Sequence, residues 1–149
     1  MHCPFCGHEE TQVKDSRPAE DGSSIRRRRA CSECGARFTT FEHIQLRDMI
    51  VVKNDGRKQA FNRDKLLRSM QIALRKRPVT EEQLEKNVSS IVRQLETMGD
   101  SEVTTAQIGE LIMKALARMD KVGYIRYASV YKDFSKPEDF NSLLEELEN

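Results

Sequence analysis

The sequence predicts an α+β chain: a small β-rich, metal-stapled domain followed by a mainly α-helical domain that opens with a β-hairpin. Three observations carry that prediction. Two CxxC pairs, Cys3/Cys6 and Cys31/Cys34, bracket a polar segment with too few apolar residues to form a core. From about residue 47 the apolar spacing changes to the three-to-four period of amphipathic helices. Between the two, Met49–Lys53 and Arg57–Phe61 are short β-prone runs around an Asn54-Asp55-Gly56 turn.

In the first segment Gly7, Gly22 and Gly35 mark turns, and Gly7 and Gly35 directly follow the second cysteine of each pair. Val13 lies in one short strand, Ile25 opens a second, and Arg37 to Leu46 suits a third. So little apolar surface cannot fold about 45 residues unaided. Two CxxC knuckles answer that problem, because they can bring four thiolates to the corners of a tetrahedron, as Zn²⁺ prefers in structural sites. Bound zinc contributes roughly 10–16 kcal/mol that couples to folding. A redox dithiol needs one pair rather than two. An iron–sulfur cluster also accepts four cysteines, but the paired spacing favours zinc on Cys3, Cys6, Cys31 and Cys34. His2, His8 and His43 are then bystanders.

The second segment reads as helices in order. Asn62 caps a helix running to about Lys76, with Leu66, Leu67, Met70, Ile72, Ala73 and Leu74 inward, and Pro78 ends it. Thr80 with Gln83 is a capping-box pattern for a helix that buries Leu84, Val88, Ile91, Val92 and Leu95, with Gly99 beyond its end. Thr104 with Gln107 repeats the pattern before Ile108, Leu111, Ile112, Ala115, Leu116 and Met119. A fourth helix spans about Asp120 to Phe134. Ser135 with Glu138 opens a fifth containing Phe140, Leu143, Leu144 and Leu147. The boundaries expected are 1–46, 47–136 and an acidic C-terminal helix over 137–149.

A formal net charge of +1 conceals local imbalance: residues 47–132 carry net +6, residues 133–149 net −5, and Arg26, Arg27, Arg28 and Arg29 are consecutive. In a strand these four alternate faces. Arg17 and Arg37, on neighbouring strands, widen the patch. Guanidinium groups suit phosphates and guanine edges. Balancing a zinc–tetrathiolate does not require four contiguous arginines, so the run points to nucleic acid. Lys53, at the end of a strand, and Lys65, on the first turn of the next helix, are by default solvated surface lysines; the alternative is that they converge on one phosphate group near that helix N-terminus. The three tyrosines all fall within Tyr124–Tyr131; core or dimer packing is their default role, and a ring of hydroxyls around a polar ligand the alternative. No GxxxxGK[ST] or GxGxxG loop and no catalytic triad occurs, so nothing points to an enzyme. No run of about 18 apolar residues and no signal sequence is present, which places the chain in a reducing, cytoplasmic compartment without a membrane anchor.

Several segments together resemble one bacterial family. They are MHCPFC at 1–6, DSR at 15–17, GSSIRRRRACSEC at 22–34, RFTTFE at 37–42, VVKNDG at 51–56, FNRDKL at 61–66, KRPVT at 76–80 and DKVGYIRYASVYKDF at 120–134. The chain is similar from end to end to NrdR, the transcriptional repressors of ribonucleotide reductase genes, built from a zinc ribbon and an ATP-cone. The resemblance implies a nucleotide-responsive repressor of palindromic operator boxes in double-stranded DNA. ATP and dATP bound to the cone would control a homo-oligomer and its DNA affinity. It implies that Val51, Val52, Lys53, Asn54, Asn62 and Lys65 line the nucleotide site, that Tyr124 and Tyr131 border it, and that Thr105 matches a helix start more loosely. Many ATP-cones carry Arg where this chain has Asn54, so one cation is missing here. Two other classes compete. An RNA-associated zinc ribbon would need no nucleotide-responsive domain, and a nucleotide hydrolase would release phosphate.

Overall fold

The computed structural model describes residues 1–20, 22–45 and 47–149. It divides into two compact units, Met1–Leu46 and Arg47–Asn149.

The first unit is a three-stranded antiparallel sheet, β1 (Thr11–Pro18), β2 (Ser24–Cys31) and β3 (Arg37–His43), in the order β1-β2-β3. A register shift between Val13 and Asp15 lets Lys14 bulge out of β1. The expected end of the third strand at Leu46 lies outside the described residues; within them the strand stops at His43. Among the described residues, the hydrophobic ones buried in this unit are two cysteines, Cys3 and Cys31, so a metal must hold it together.

The second unit has its own core. A three-stranded sheet of order β5-β4-β6 joins β4 (Ile50–Val52) antiparallel to β5 (Lys58–Ala60) and parallel to β6 (Glu102–Thr104). β6 is absent from the sequence expectation. It has one inward residue, Val103, and its partner lies some fifty residues earlier in the chain. Five helices follow or flank the sheet: α1 (Arg63–Ala73), α2 (Glu81–Thr97), α3 (Thr105–Met119), α4 (Lys121–Tyr131) and α5 (Glu138–Glu148). Met70, Val88, Ile91, Leu95, Val103 and Leu116 form the fully buried centre.

The caps explain the boundaries. Both capping boxes form, Thr80 with Gln83 and Thr104 with Gln107. Asp120 closes α3 and caps α4, accepting the Gly123 N–H at 2.8 Å. Four details differ from the sequence reading, the first being that α4 ends at Tyr131 rather than Phe134, where the Lys132 N–H returns to the Ala128 carbonyl and Asp133 turns to a positive φ. α1 stops at Ala73 rather than Lys76, because Arg126 donates to the Ala73 and Arg75 carbonyls and Lys76 turns to a positive φ. Ile72 is 71% exposed, not inward. At α5 no Ser135–Glu138 box forms; instead the Asp139 carboxylate accepts the N–H groups of Ser135 and Lys136. Among the described residues no helix is long and apolar enough to cross a membrane.

Candidate functional site

The metal centre lies where the two knuckles meet. In each, a tight turn is closed by the backbone: the Gly7 N–H donates to the Cys3 carbonyl at 2.9 Å and the Gly35 N–H to the Cys31 carbonyl at 3.1 Å. Both glycines sit at positive φ, 77° and 72°, where a Cβ is disfavoured. The four sulfurs all lie within 4.8 Å of one another, with Cys3–Cys34 and Cys6–Cys31 at 3.7 Å. A regular tetrahedron with Zn–S arms of about 2.3 Å has edges of about 3.8 Å. Two edges already match and the others need close by no more than about 1 Å, so the residues fit zinc, and no histidine joins the group among the described residues.

Charge makes the same point. Desolvation opposes the Cys3 thiolate, but the N–H groups of Cys6 and Phe5 and the neighbouring sulfurs bring its pKa down to about 6. Cys6 receives an N–H from His8 that favours its thiolate, yet desolvation and the sulfurs of Cys34, Cys31 and Cys3 push it up to about 12. So close a set cannot ionise fully unaided. A divalent cation removes that obstacle, and in doing so displaces protons.

β2 sets the arginines from the same unit. Its register pairs Arg17 and Phe41 with Arg26, and Asp15 and Thr39 with Arg28, while Arg37 faces Ala30. Side chains directly opposite in an antiparallel sheet share a face. Arg17, Arg26, Arg28 and Arg37 therefore lie on one face with Phe41, and Arg27 and Arg29 on the other. The two groups are held differently. Arg27 donates to Ser16 Oγ at 3.0 Å and to Glu42 at 2.7 Å, and Arg29 donates to Thr40 Oγ1 at 3.1 Å. Arg17 pairs with Asp15 at the surface. Arg26, Arg28 and Arg37 have no protein partner among the described residues. A groove of about 560 Å³ runs along Arg28, Arg29 and Arg37.

In the second unit the hairpin covers a cavity of about 250 Å³ at the first turns of α1 and α3. Val51, Lys53, Asn62 and Lys65 line it, four of the residues that the family resemblance implies for a nucleotide site. Gln59, Ala60, Phe61, Leu66, Ser69, Thr105 and Ile108 complete the wall. A second hollow of about 280 Å³ shares Gln59, Ala60, Asn62 and Lys65 and adds Asp64 and Arg68. Together the two reach the size of a small-molecule site. Asn62 caps α1 by accepting the Lys65 N–H at 3.1 Å, which fixes the start of the helix and hence the root of the Lys65 side chain. Asn54 reaches the site through Thr105, whose hydroxyl donates to Asn54 Oδ1 at 3.1 Å. Thr105 is thus a wall residue, and Thr104 is the cap of α3. Val52 is half-buried in β4 and does not line the cavity.

The tyrosines lie elsewhere. Tyr124 packs against the core, and Tyr131 stacks on Tyr127 at 5.8 Å and donates to the Ala106 carbonyl at 3.2 Å. Neither lines the cavity. The Tyr131 ring occupies the space a Cβ at Gly109 would need, so it braces α3 just beyond the turn that carries Thr105 and Ile108. No spacing rule would have singled out Gln59, Ala60 or Ser69, which contribute only by standing around the hairpin and the helix start.

Comparison with known proteins agrees with both units. Residues 1–42 match the family described as the N-terminal domain of NrdR-like transcriptional repressors, and residues 49–137 match the ATP cone domain. The chain is 60% identical to "Transcriptional repressor NrdR 3" of Paramagnetospirillum magneticum over 144 residues, 97% of this chain and 94% of that protein. The chain belongs to the NrdR family. Other members include "Transcriptional repressor NrdR" of Rhodospirillum centenum, 60% identical over 99% of this chain and 96% of that protein. The one from Phenylobacterium zucineum is 60% identical over 98% and 94%. NrdR is a regulatory rather than an enzymatic family. Within it, the four cysteines form the zinc site of the ribbon and residues 49–137 form a nucleotide-binding cone.

Proposed function

We propose that this chain is a nucleotide-responsive repressor that binds double-stranded operator boxes upstream of ribonucleotide reductase genes, in the cytoplasm and on the nucleoid. In this reading Arg17, Arg26, Arg28 and Arg37 face the DNA, and Arg27 and Arg29 brace the sheet beneath them while lending charge. ATP and dATP occupy the cavity under the hairpin. Lys53 and Lys65 meet phosphates there, Asn62 and Thr105 bring two helix N-termini to the same anion, and Asn54 holds Thr105 in place. Tyr124 and Tyr131 act by positioning α3 and α4.

The observation that carries the reading is the arginine face. Beside the Arg17–Asp15 pair, the guanidinium groups of Arg26, Arg28 and Arg37, without a partner among the described residues, are costly to gather on a metal-stapled sheet, since they repel one another, and they become favourable when phosphates supply the missing charge. Zinc, when bound, supplies the cross-link that keeps this sheet folded. The cone couples to it by linkage: a nucleotide shifts an equilibrium between homo-oligomers only by its differential affinity for them. An assembly that spaces ribbons to match two half-sites binds the operator, and one that misplaces them does not. A rise in dATP that favours the matching assembly would shut down synthesis of further deoxynucleotide.

The test is light-scattering size measurement in ATP and in dATP, paired with operator binding under the same conditions. Operator affinity that differs between the two nucleotides, together with a change in mass, is the expected result. Equal affinity in both, or stronger competition by RNA than by duplex DNA, would overturn the reading.

A further inference from the structure

A groove of about 490 Å³ lies between α2 and the end of α3, and shares no residue with the nucleotide cavity. Its floor is Val79 and Met119, both packed on the core. Its rim holds Lys86, Arg93 and Arg118, and no carboxylate lines it. Arg118 is exposed in the last turn of α3 and has no partner among the described residues. An apolar floor under three cations suits an acidic amphipathic segment rather than a small polar ligand.

The chain itself contains such a segment. From Glu138 to Asn149 there are five acidic residues and no basic one. α5 is fastened to its own α4 on one side only: Leu143 is 1% exposed, Phe134 and Phe140 meet edge to face at 5.0 Å, and Lys132 pairs with Glu146. On the other side Leu144 is 43% exposed beside Glu145 and one turn before Glu148, and both acids are free of ion pairs among the described residues. Lifting α5 into its own groove would strip Leu143 from the core. A neighbouring copy can present the same helix with Leu143 still in place.

We infer that the α2–α3 groove receives the outer face of α5 from a second copy of this chain, with Leu144 over Val79 and Met119, and Glu145 and Glu148 against Arg118, Lys86 and Arg93. Groove and helix are different patches, so the contact is heterologous. Such contacts propagate into rings or longer assemblies instead of stopping at a dimer. The inference rests on the self-assembly proposed above and specifies its surface.

The experiment is sedimentation of the full chain with ATP and with dATP, for wild type, Arg118→Glu, the pair Glu145→Lys/Glu148→Lys, and all three changes together. Like charges facing each other at a contact should weaken association at least about tenfold in each of the first two variants. Mixing those two variants, or combining their changes in one chain, should restore it. A helical circular-dichroism spectrum and melting temperature equal to wild type certify that each variant is folded, and Arg118→Ala replaces the reversal if that variant is not. A wild type that stays monomeric with every nucleotide overturns the self-assembly reading and this inference with it. Assembly unchanged in the variants of an assembling wild type overturns this inference alone. So does weakening that charge reversal on α5 does not rescue, or a loss confined to DNA binding, which would assign the groove to a phosphate backbone.

Discussion

Single residues separate roles that the sequence presents as one. Arg26 to Arg29 look equivalent in the chain, yet β2 sends alternate members to opposite faces, and among the described residues only Arg27 and Arg29 find partners in the sheet. Arg28→Ala should therefore weaken operator binding, by about 1–3 kcal/mol if it reads a guanine, and leave the melting temperature of the ribbon unchanged. Arg27→Ala should do the reverse in part, costing up to about 1 kcal/mol of stability through the exposed Glu42 pair. Fluorescence anisotropy with operator DNA and thermal melting, run on both variants, check this; equal effects on binding would contradict the division of faces. Asp120 supplies a pH test in the cone. The Gly123 N–H holds its carboxyl below the usual carboxylate range, outweighing desolvation, and Arg77 at 3.0 Å adds to the effect. A carboxyl lowered in the folded state stabilises above the unfolded value of about 3.9, and that contribution is lost as the pH falls through the folded value. The stability gap between wild type and Asp120→Asn should thus be full at neutral pH and close below about pH 4, as denaturant melts across that range would register.

Elements differ in how much of them the sequence discloses, and the difference follows range. The capping boxes at Thr80 and Thr104 and the Asn62 cap are satisfied within three residues, so reading the local string finds them. β6 is three residues long with one inward side chain, and it becomes a strand only because β4 lies alongside it. Nothing local marks it. The overlong α1 has the same cause. Its periodicity continues to Leu74, but Arg126 of α4 donates to the Ala73 and Arg75 carbonyls and takes over the end of the helix. In the candidate site, the cap at Asn62 was legible from its local string, and the nucleotide role of Lys53, Asn62 and Lys65 came with the family resemblance, whereas Gln59, Ala60 and Ser69 are set by three-dimensional neighbourhood alone. The ribbon is the element most exposed to its cofactor. Its buried hydrophobic residues, among those described, are Cys3 and Cys31, against an extended core in the cone. Chelating the zinc should unfold residues 1–46 and leave the helices melting cooperatively. Circular dichroism that lost helical signal along with the strands would contradict the independence of the two cores. Acid should act like the chelator, because protons compete with zinc for the thiolates.

For the molecule as a whole, the proposed repressor is a thermodynamic cycle, and a cycle can be tested from either end. If dATP raises operator affinity by tenfold to a hundredfold, the coupling is about 1.4–2.7 kcal/mol, within the usual range for allosteric proteins. Operator DNA must then raise dATP affinity by the same factor, since both changes connect the same four states. Titrating dATP into the protein alone and into the protein–operator complex should give that matching ratio, with ATP giving a smaller or inverse one. The result depends on the cavity under the hairpin. Lys65→Ala removes a cation at the helix start that Asn62 fixes, and should abolish both halves of the cycle while basal operator binding persists, because the arginine face belongs to the other unit. A Lys65→Ala protein whose dATP affinity matches wild type would place the nucleotide elsewhere. Ratios that disagree between the two titrations would mean that the nucleotide acts on a state outside the cycle, such as an aggregate unable to bind DNA. In that case size measurements would change with dATP at constant affinity per ribbon, and the spacing of half-sites would cease to matter.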